Sequence, residues 1–329
     1  MKRVGNFFDK IAEMDNLQLA FFKAQKGKTC KRDVIQFRKR LTKNLLSLRD
    51  DILSSNITVG NYKRFFVYEP KKREICTVPF YERVLQHAIV NLCEPRFEAY
   101  QIETSYACRK EKGIDGAMKK ARDYSGAFSW YLKLDVHRYF DSVDHVVLQK
   151  ILERLFKDSR LLELFWKIID SYQTVPGRGI PIGNLTSQYF ANIYLSTLDH
   201  YIKEQLNISG YVRYMDDFVL FANCKEELQF ALERVNTYLT ERLNLTLNEP
   251  QLNRCKCGLT YLGYRIYPEK IKLSQRSKKR FRKKIRVAES NLRRDIWTQC
   301  EYARHVSPLI AFLQRADCKG FLKSVPSNA

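Results

Sequence analysis

Two adjacent carboxylates, Asp216 and Asp217, lie between two β-prone runs, YVRY (Tyr211–Tyr214) and FVLFA (Phe218–Ala222). No other feature narrows the folding options of the chain so far. The pattern predicts a β-hairpin with its charges at the tip. Such carboxylates repel each other, and apolar flanks partly strip them of water. A divalent cation relieves both costs. A third acid, Asp135, ends the apolar stretch of WYLKLDV (Trp130–Val136). Taken singly, adjacent acids are usually a turn, and an acid after an apolar run is usually a cap or a surface charge. If the two strands share a sheet, however, Asp135 and Asp216 can bridge two magnesium ions about 4 Å apart, an arrangement suited to phosphoryl chemistry. Oxygen ligands with some retained water suit magnesium.

The rest of the pattern is an alternation of helices and strands. Residues 1 to about 58 read as helices, with Phe7, Ile11 and Met14 and then Leu41, Leu45, Leu46 and Ile52 at helical spacing. FFVYEP and EICTVP flank Lys71-Lys72-Arg73 and predict a hairpin arm with a basic tip. Helices are expected over 81–100, 144–172, 185–205 and 226–243, and strands over 130–136 and 259–266. The last 55 residues or so read as basic helix. This is an α+β pattern with helices on an antiparallel sheet.

Charge selects the partner class. The chain of 329 residues carries 58 Lys and Arg against 36 Asp and Glu, a formal +22 that favours a polyanion. Ten of the nineteen residues from Arg276 to Arg294 are cationic. On a helix they cover most faces, so only part of the tract can follow one duplex. The nine cysteines are scattered, with Cys255-Lys-Cys257 the only close pair and no second pair at zinc spacing, so free thiols in a reducing compartment are expected. The N-terminus lacks the apolar run of a signal peptide. No stretch reaches the ~18 apolar residues of a membrane span. A cytoplasmic protein without a membrane partner is the expectation.

Tyr214-Met215-Asp216-Asp217 is the YXDD box of reverse transcriptases, and LKLDVHRYFDSVDH (Leu132–His145) resembles the motif preceding it in that family. The resemblance covers nearly the whole chain from Phe65 onward. It implies a right-hand polymerase fold: an N-terminal helical extension (1–60), fingers (61–130), a palm with an antiparallel sheet (131–270, with a helical insertion at about 146–180) and a basic helical thumb (271–329). It implies RNA-directed DNA polymerase activity with deoxynucleotides as substrates. Asp135, Asp216 and Asp217, with Val136, become the positions for two magnesium ions, manganese being able to substitute. YEPKKREICTVPFYERVLQHAI (Tyr68–Ile89) resembles the fingers motifs. Lys71 and Arg73 match the positions that hold the triphosphate, and Arg83 and Gln86 match the RxxQ pattern. SYACRKEKG places Arg109 at the template or primer backbone, and TYLGYRI places Leu262 and Gly263 in the primer grip. Tyr214, Met215, Arg83 and the thumb residues Lys279, Arg282 and Lys283 are the other expected nucleic-acid contacts. Phe140 occupies the steric-gate position that excludes a ribose 2′-hydroxyl; Asp141 and Asp144 are expected to cap the next helix rather than bind metal.

Ile182-Gly183-Asn184-Leu185-Thr186-Ser187-Gln188 resembles the IGxxxSQ signature of reverse transcriptases from diversity-generating retroelements, where group II intron and retroviral enzymes have Pro-Gln-Gly. The resemblance places Ile182, Gly183 and Gln188 at the incoming nucleotide. It implies copying of a template-repeat RNA, misincorporation opposite adenine, and a helical, oligomeric accessory variability protein as partner. Ile182 cannot make the hydrogen bond of the family's glutamine; a net loss of about 1 kcal/mol would loosen base selection. No lysine falls in register after the hairpin as an acid for pyrophosphate, leaving Arg254 and Lys256 as weak candidates. A retron, CRISPR-associated or group II-like enzyme, or a silent RNA-binding relative, remain alternatives.

Overall fold

The computed structural model describes residues 2–68 and 71–323, so Glu69, Pro70 and the end of the basic tail lie outside it. The N-terminal segment is helical: α1 (Phe8–Ile11), α2 (Met14–Gln25), α3 (Arg32–Lys39) and α4 (Leu41–Leu53). Strands β1 (Lys63–Val67) and β2 (Arg73–Thr77) form an antiparallel ribbon, followed by α5 (Phe80–Tyr100) and α6 (Gly113–Ala127). After β3 (Trp130–Asp135) come α7 (Tyr139–Ser142), α8 (His145–Leu155), α9 (Ser159–Asp170) and α10 (Leu185–His200), which runs on into a π-helical turn, Tyr201–Gln205. The hairpin β4 (Gly210–Tyr214) and β5 (Asp217–Ala222) leads to α11 (Lys225–Leu243) and β6 (Gln251–Arg254). A small meander, β7 (Leu259–Tyr261), β8 (Tyr264–Ile266) and β9 (Ile271–Leu273), precedes α12 (Gln275–Arg293), α13 (Gln299–Gln314) and α14 (Lys319–Lys323). The class is α+β.

The chain divides into two compact units. The first comprises Met1–Glu103, Val136–Gln205 and Arg234–Asn248. Its core is a run of edge-to-face rings, Phe97–Phe156 and Phe156–Phe165 at 5.5 Å and Phe165–Phe190 at 5.3 Å, a geometry favoured by the ring quadrupole. Helix α10 is buried on nearly every face, its polar Thr186, Ser187, Asn192, Ser196 and Asp199 included. The helical region expected at 144–172 is two helices. Asp158 divides them: its carboxylate accepts from Leu161 N (3.2 Å) as the N-cap of α9, and from Phe7 and Phe8 N at 2.9 and 3.0 Å. Asp144 caps α8 as expected, accepting from Val147 N at 3.1 Å; Asp141 does not cap but sits within α7.

The second unit comprises Thr104–Asp135, Leu206–Glu233 and Glu249–Ala329. Its sheet is antiparallel throughout, in the order β4-β5-β3-β6. Val212, Val219 and Phe221 share one core with Ala117, Met118 and Ala121 of α6, Tyr261 and Tyr264 of the meander, and Phe281 and Ile285 of α12. The small residues of α6 let it lie close to the sheet. Sequence patterning assigned no element to α6 or β6; β6 is a polar strand made by pairing with β3 (Trp130↔Arg254).

Candidate active site

The hairpin forms as the sequence predicts, and the register does the rest. Tyr214 pairs with Asp217, leaving Met215 and Asp216 as a two-residue turn. Asp135, the last residue of β3, pairs directly with Asp217, the first of β5. Like charges opposed across a ladder destabilise it. Burial pushes the Asp217 carboxyl up to about 7; Lys133 counters this, while Asp135 and Asp216 reinforce it.

The turn is held by residues that sequence reasoning missed. Met215 has φ +59°, a left-handed conformation that costs a non-glycine residue about 1 kcal/mol or more. Arg213, wholly buried, donates from Nη1 to the Met215 carbonyl at 3.0 Å. Its own backbone is fixed on both sides, N–H to Thr104 O and C=O from Tyr106 N, each at 3.0 Å. Tyr261 donates its hydroxyl to the Asp217 carbonyl at 3.4 Å. Lys133 places Nζ 3.3 Å from Asp217 Oδ2. A signal for Lys133 existed: the strand period of two puts it on the face of Asp135. For Arg213 the signal was a cation inside an otherwise apolar strand, which is costly unless hydrogen-bonded.

These acids fit a hard cation. Asp217 Oδ1 is buried with no hydrogen-bond partner, and oxygen donors are what magnesium takes. Among the described residues no group of three or more His, Cys, Asp or Glu side chains is placed to hold a metal ion. Val136, buried, opens the second segment of the first unit and bridges Leu247. Arg254 is set apart from the acids: it pairs with Trp130 at the far end of β3 and lies over that ring at 5.1 Å. Five residues of strand put it roughly 17 Å from the Asp135 end, and Lys256 lies further along the chain. Neither suits a proton transfer at the hairpin.

Of the remaining candidates of the first unit, two, Arg73 and Ile182, share one cavity, whose lining does not include Lys71, Arg83, Gln86, Phe140, Gly183 or Gln188. Arg73, Arg138, Arg178, Asp141, Tyr172 and Ile182 line a space of about 530 Å³. The Ile182 carbonyl accepts from Cys76 N at 2.8 Å, which fastens the IGNLTSQ segment to β2. Gly183, at φ +112°, is required there, since a Cβ would meet the Cys76 carbonyl oxygen at 2.9 Å. Gln86 of the RxxQ pattern accepts from Leu185 N at 3.0 Å, satisfying an orphan N–H at the start of α10. Arg83 is half-buried, with Nε buried and unpartnered. Phe140 is half-buried, edge-on to Tyr139 at 5.8 Å, and its carbonyl accepts from Ile180 N. Gln188 is half-buried in the first turn of α10, and Lys71 is exposed.

In the second unit Leu262 and Gly263, at φ +49° and +90°, form the tight β7–β8 turn. The Gly263 carbonyl accepts from Ser277 Oγ at 2.6 Å and Ser274 N at 3.2 Å, which ties the turn to the N-terminus of α12. Helix α12 buries Ser277, Phe281, Ile285 and Ala288. Lys279 and Lys283, one turn apart, are exposed, whereas Arg282 lies over Phe321 at 5.0 Å. Arg109 closes its own loop, donating to Ser105 O at 2.8 Å. Tyr214 is half-buried, and burial raises its hydroxyl pKa. All nine cysteines are unpaired. No described helix is long and apolar enough to cross a membrane.

Residues 68–266 match the family model for reverse transcriptase (RNA-dependent DNA polymerase). Protein YkfC of Escherichia coli is 26% identical over 279 residues, covering 69% of this chain and 72% of that protein. The group II intron-encoded protein LtrA of Lactococcus lactis is 22% identical over 285 residues, covering 64% of this chain but 47% of LtrA. Among solved structures, a truncated apo telomerase of Candida tropicalis matches with a TM-score of 0.51 at 13% identity, covering 71% of this chain and 60% of that one. Telomerase of Candida albicans, in complex with a fragment of telomeric RNA, matches with a TM-score of 0.50 at 14% identity, covering 75% and 55%. The fold is therefore that of the right-hand polymerases.

Proposed function

This chain belongs to the reverse transcriptase (RNA-dependent DNA polymerase) family, and from that premise we propose that it is an RNA-directed DNA polymerase of a diversity-generating retroelement, copying a template-repeat RNA with adenine-directed misincorporation. The observation that carries the polymerase reading is the Asp135–Asp217 register pairing beside the Asp216 turn.

Asp135, Asp216 and Asp217, with Val136, would hold magnesium or manganese, and two such ions when bound lower the pKa of the primer 3′-hydroxyl and stabilise departing pyrophosphate. The chain's own residues prepare that site. Arg213 locks the turn that presents Asp216, and Lys133 orients Asp217 through one oxygen, leaving the other for a ligand. Arg73 and Lys71 supply cations for a triphosphate, and Phe140 supplies the ring that excludes a 2′-hydroxyl. Lys279 and Lys283 offer phosphate contacts to a primer–template hybrid.

The retroelement subclass rests on IGNLTSQ, with Ile182 facing the same cavity as Arg73. An accessory variability protein, itself a helical oligomer, belongs to this reading. The similarity to LtrA favours a second reading, a compact group II-like enzyme. Primer extension on an RNA template with magnesium tests the activity: wild type should extend, and Asp216→Ala should not. Sequencing the cDNA separates the subclasses, since errors concentrated at template adenines support the first reading and an even spectrum the second.

A further inference from the structure

The first unit carries a second concave basic surface built from elements other than the acidic hairpin. Helix α8, the end of α10 with its π-helical turn, and α11 enclose a groove of about 750 Å³. Its size is that of a cleft for a discrete ligand, roughly 300–1,000 Å³. Lys150 and Arg154 of α8 stand one turn apart on the face that lines it, and Arg242 of α11 closes it from the other side. Among the described residues, none of these three forms an ion pair with a carboxylate. Arg234 adds a fourth cation and Glu241 one carboxylate, so the lining is strongly positive.

Charge alone would describe a solvated basic face, and two further observations set this groove apart. Tyr201 and Tyr238 line it as a stacked pair, with ring centroids 4.4 Å apart and planes at 22°. Tyr238 is pinned by donating its hydroxyl to Thr197 O at 3.2 Å. The π-helical turn that places Tyr201 is a rare distortion, frequent at functional sites. Cations flanking a fixed aromatic platform are what single-stranded nucleic acid uses: phosphates on the cations, a base on the ring.

We propose that this groove is a binding site for single-stranded RNA, separate from the polymerase centre. A base stacks on the Tyr201–Tyr238 pair, while Lys150, Arg154 and Arg242 contact the flanking phosphates. Such a site tethers the template molecule through a segment that is not being copied. Binding of RNA here requires no metal; only the tethering role rests on the polymerase reading.

The test uses the full chain and a single-stranded RNA of about a dozen nucleotides carrying 5-iodouridine. Photocross-linking followed by peptide mapping should give an adduct on Tyr201 or Tyr238. The triple variant K150E/R154E/R242E should lose that adduct, and its log Kd should depend less on log salt by roughly 0.7 for each phosphate contact removed. Tyr238→Leu, which keeps the charges, should weaken binding roughly five- to a hundredfold, as for one lost base–aromatic stack. Primer extension on a short hybrid should be unchanged in both variants. Adducts confined to other peptides overturn the proposal. So does an adduct that polyglutamate suppresses as well as unlabelled RNA at equal charge, since that marks a plain cation patch. Extension falling in parallel with binding overturns the claim of a separate site.

Discussion

Asp135 and Asp217 are register partners across the β3–β5 ladder, and a lysine two residues before the first reaches the second at 3.3 Å. The carboxylates are thus held together against their repulsion by a strand pairing that the apolar residues behind them enforce. Metal-free protein bears that cost.

Asp217→Asn should stabilise the metal-free chain. Burial and two neighbouring carboxylates raise the Asp217 pKa to about 7, so above that pH the charged form opposes folding. Removing the charge should raise the unfolding free energy at pH 8 by about 1–3 kcal/mol, read by denaturant melts in a chelator. Magnesium should raise the melting temperature of wild type more than that of the variant, and primer extension should fall at least roughly a hundredfold. A variant less stable than wild type without metal would contradict this account.

Arg213→Met should harm activity more than stability. The methionine fills the buried volume, but the Met215 carbonyl loses its donor, a cost of about 1–3 kcal/mol. The left-handed Met215 turn then loses its restraint, and Asp216 with it. Extension should drop by a larger factor than the melting shift accounts for; proportionate losses would show that Arg213 serves only the fold.

Ile182→Gln should change the error spectrum while retaining activity. The Ile182 carbonyl, not its side chain, makes the bond to Cys76, so the backbone seat survives the substitution. The new amide restores an orienting hydrogen bond of about 1 kcal/mol. Sequenced cDNA should show fewer substitutions at template adenines; an unchanged spectrum would remove Ile182 from the explanation.

Acid should destabilise the first unit through His87. Burial first, and then Arg83 and Lys23, lower its pKa from 6.5 to about 4. The folded state therefore favours the neutral ring. Its contribution is fully present above about pH 6.5 and is lost as pH falls toward 4, because the unfolded chain binds the proton first. Solvent screening of this partly exposed ring reduces the loss to roughly 1–2 kcal/mol at the acid end. His87→Gln should flatten the dependence of stability on pH across that window, measured by chemical denaturation at pH 7.5, 6 and 5.

Local pattern determined a good deal of this protein. Strand and helix periodicities placed β1 to β5 and most helices, and the YMDD turn was legible because two apolar runs leave an acidic pair nowhere but the tip. The IGNLTSQ segment was legible as a family signature, and the structure adds why its glycine is sterically required at Gly183. Patterning failed at β6, whose polar residues become a strand only by pairing with β3, and at α6, whose small residues matter only against a sheet.

What the tertiary structure alone decided is who supports the acids. The sequence shows Lys133, Arg213 and Tyr261 as a cation, another cation and an aromatic; only the β3–β5 register and the meander bring them to Asp217 and the turn. The Tyr201–Tyr238 stack and its ring of cations likewise join residues from three separate helices. Propensity acts over a few neighbours along the chain, whereas these sites depend on which distant surfaces meet, and that is fixed by the packing of the whole core.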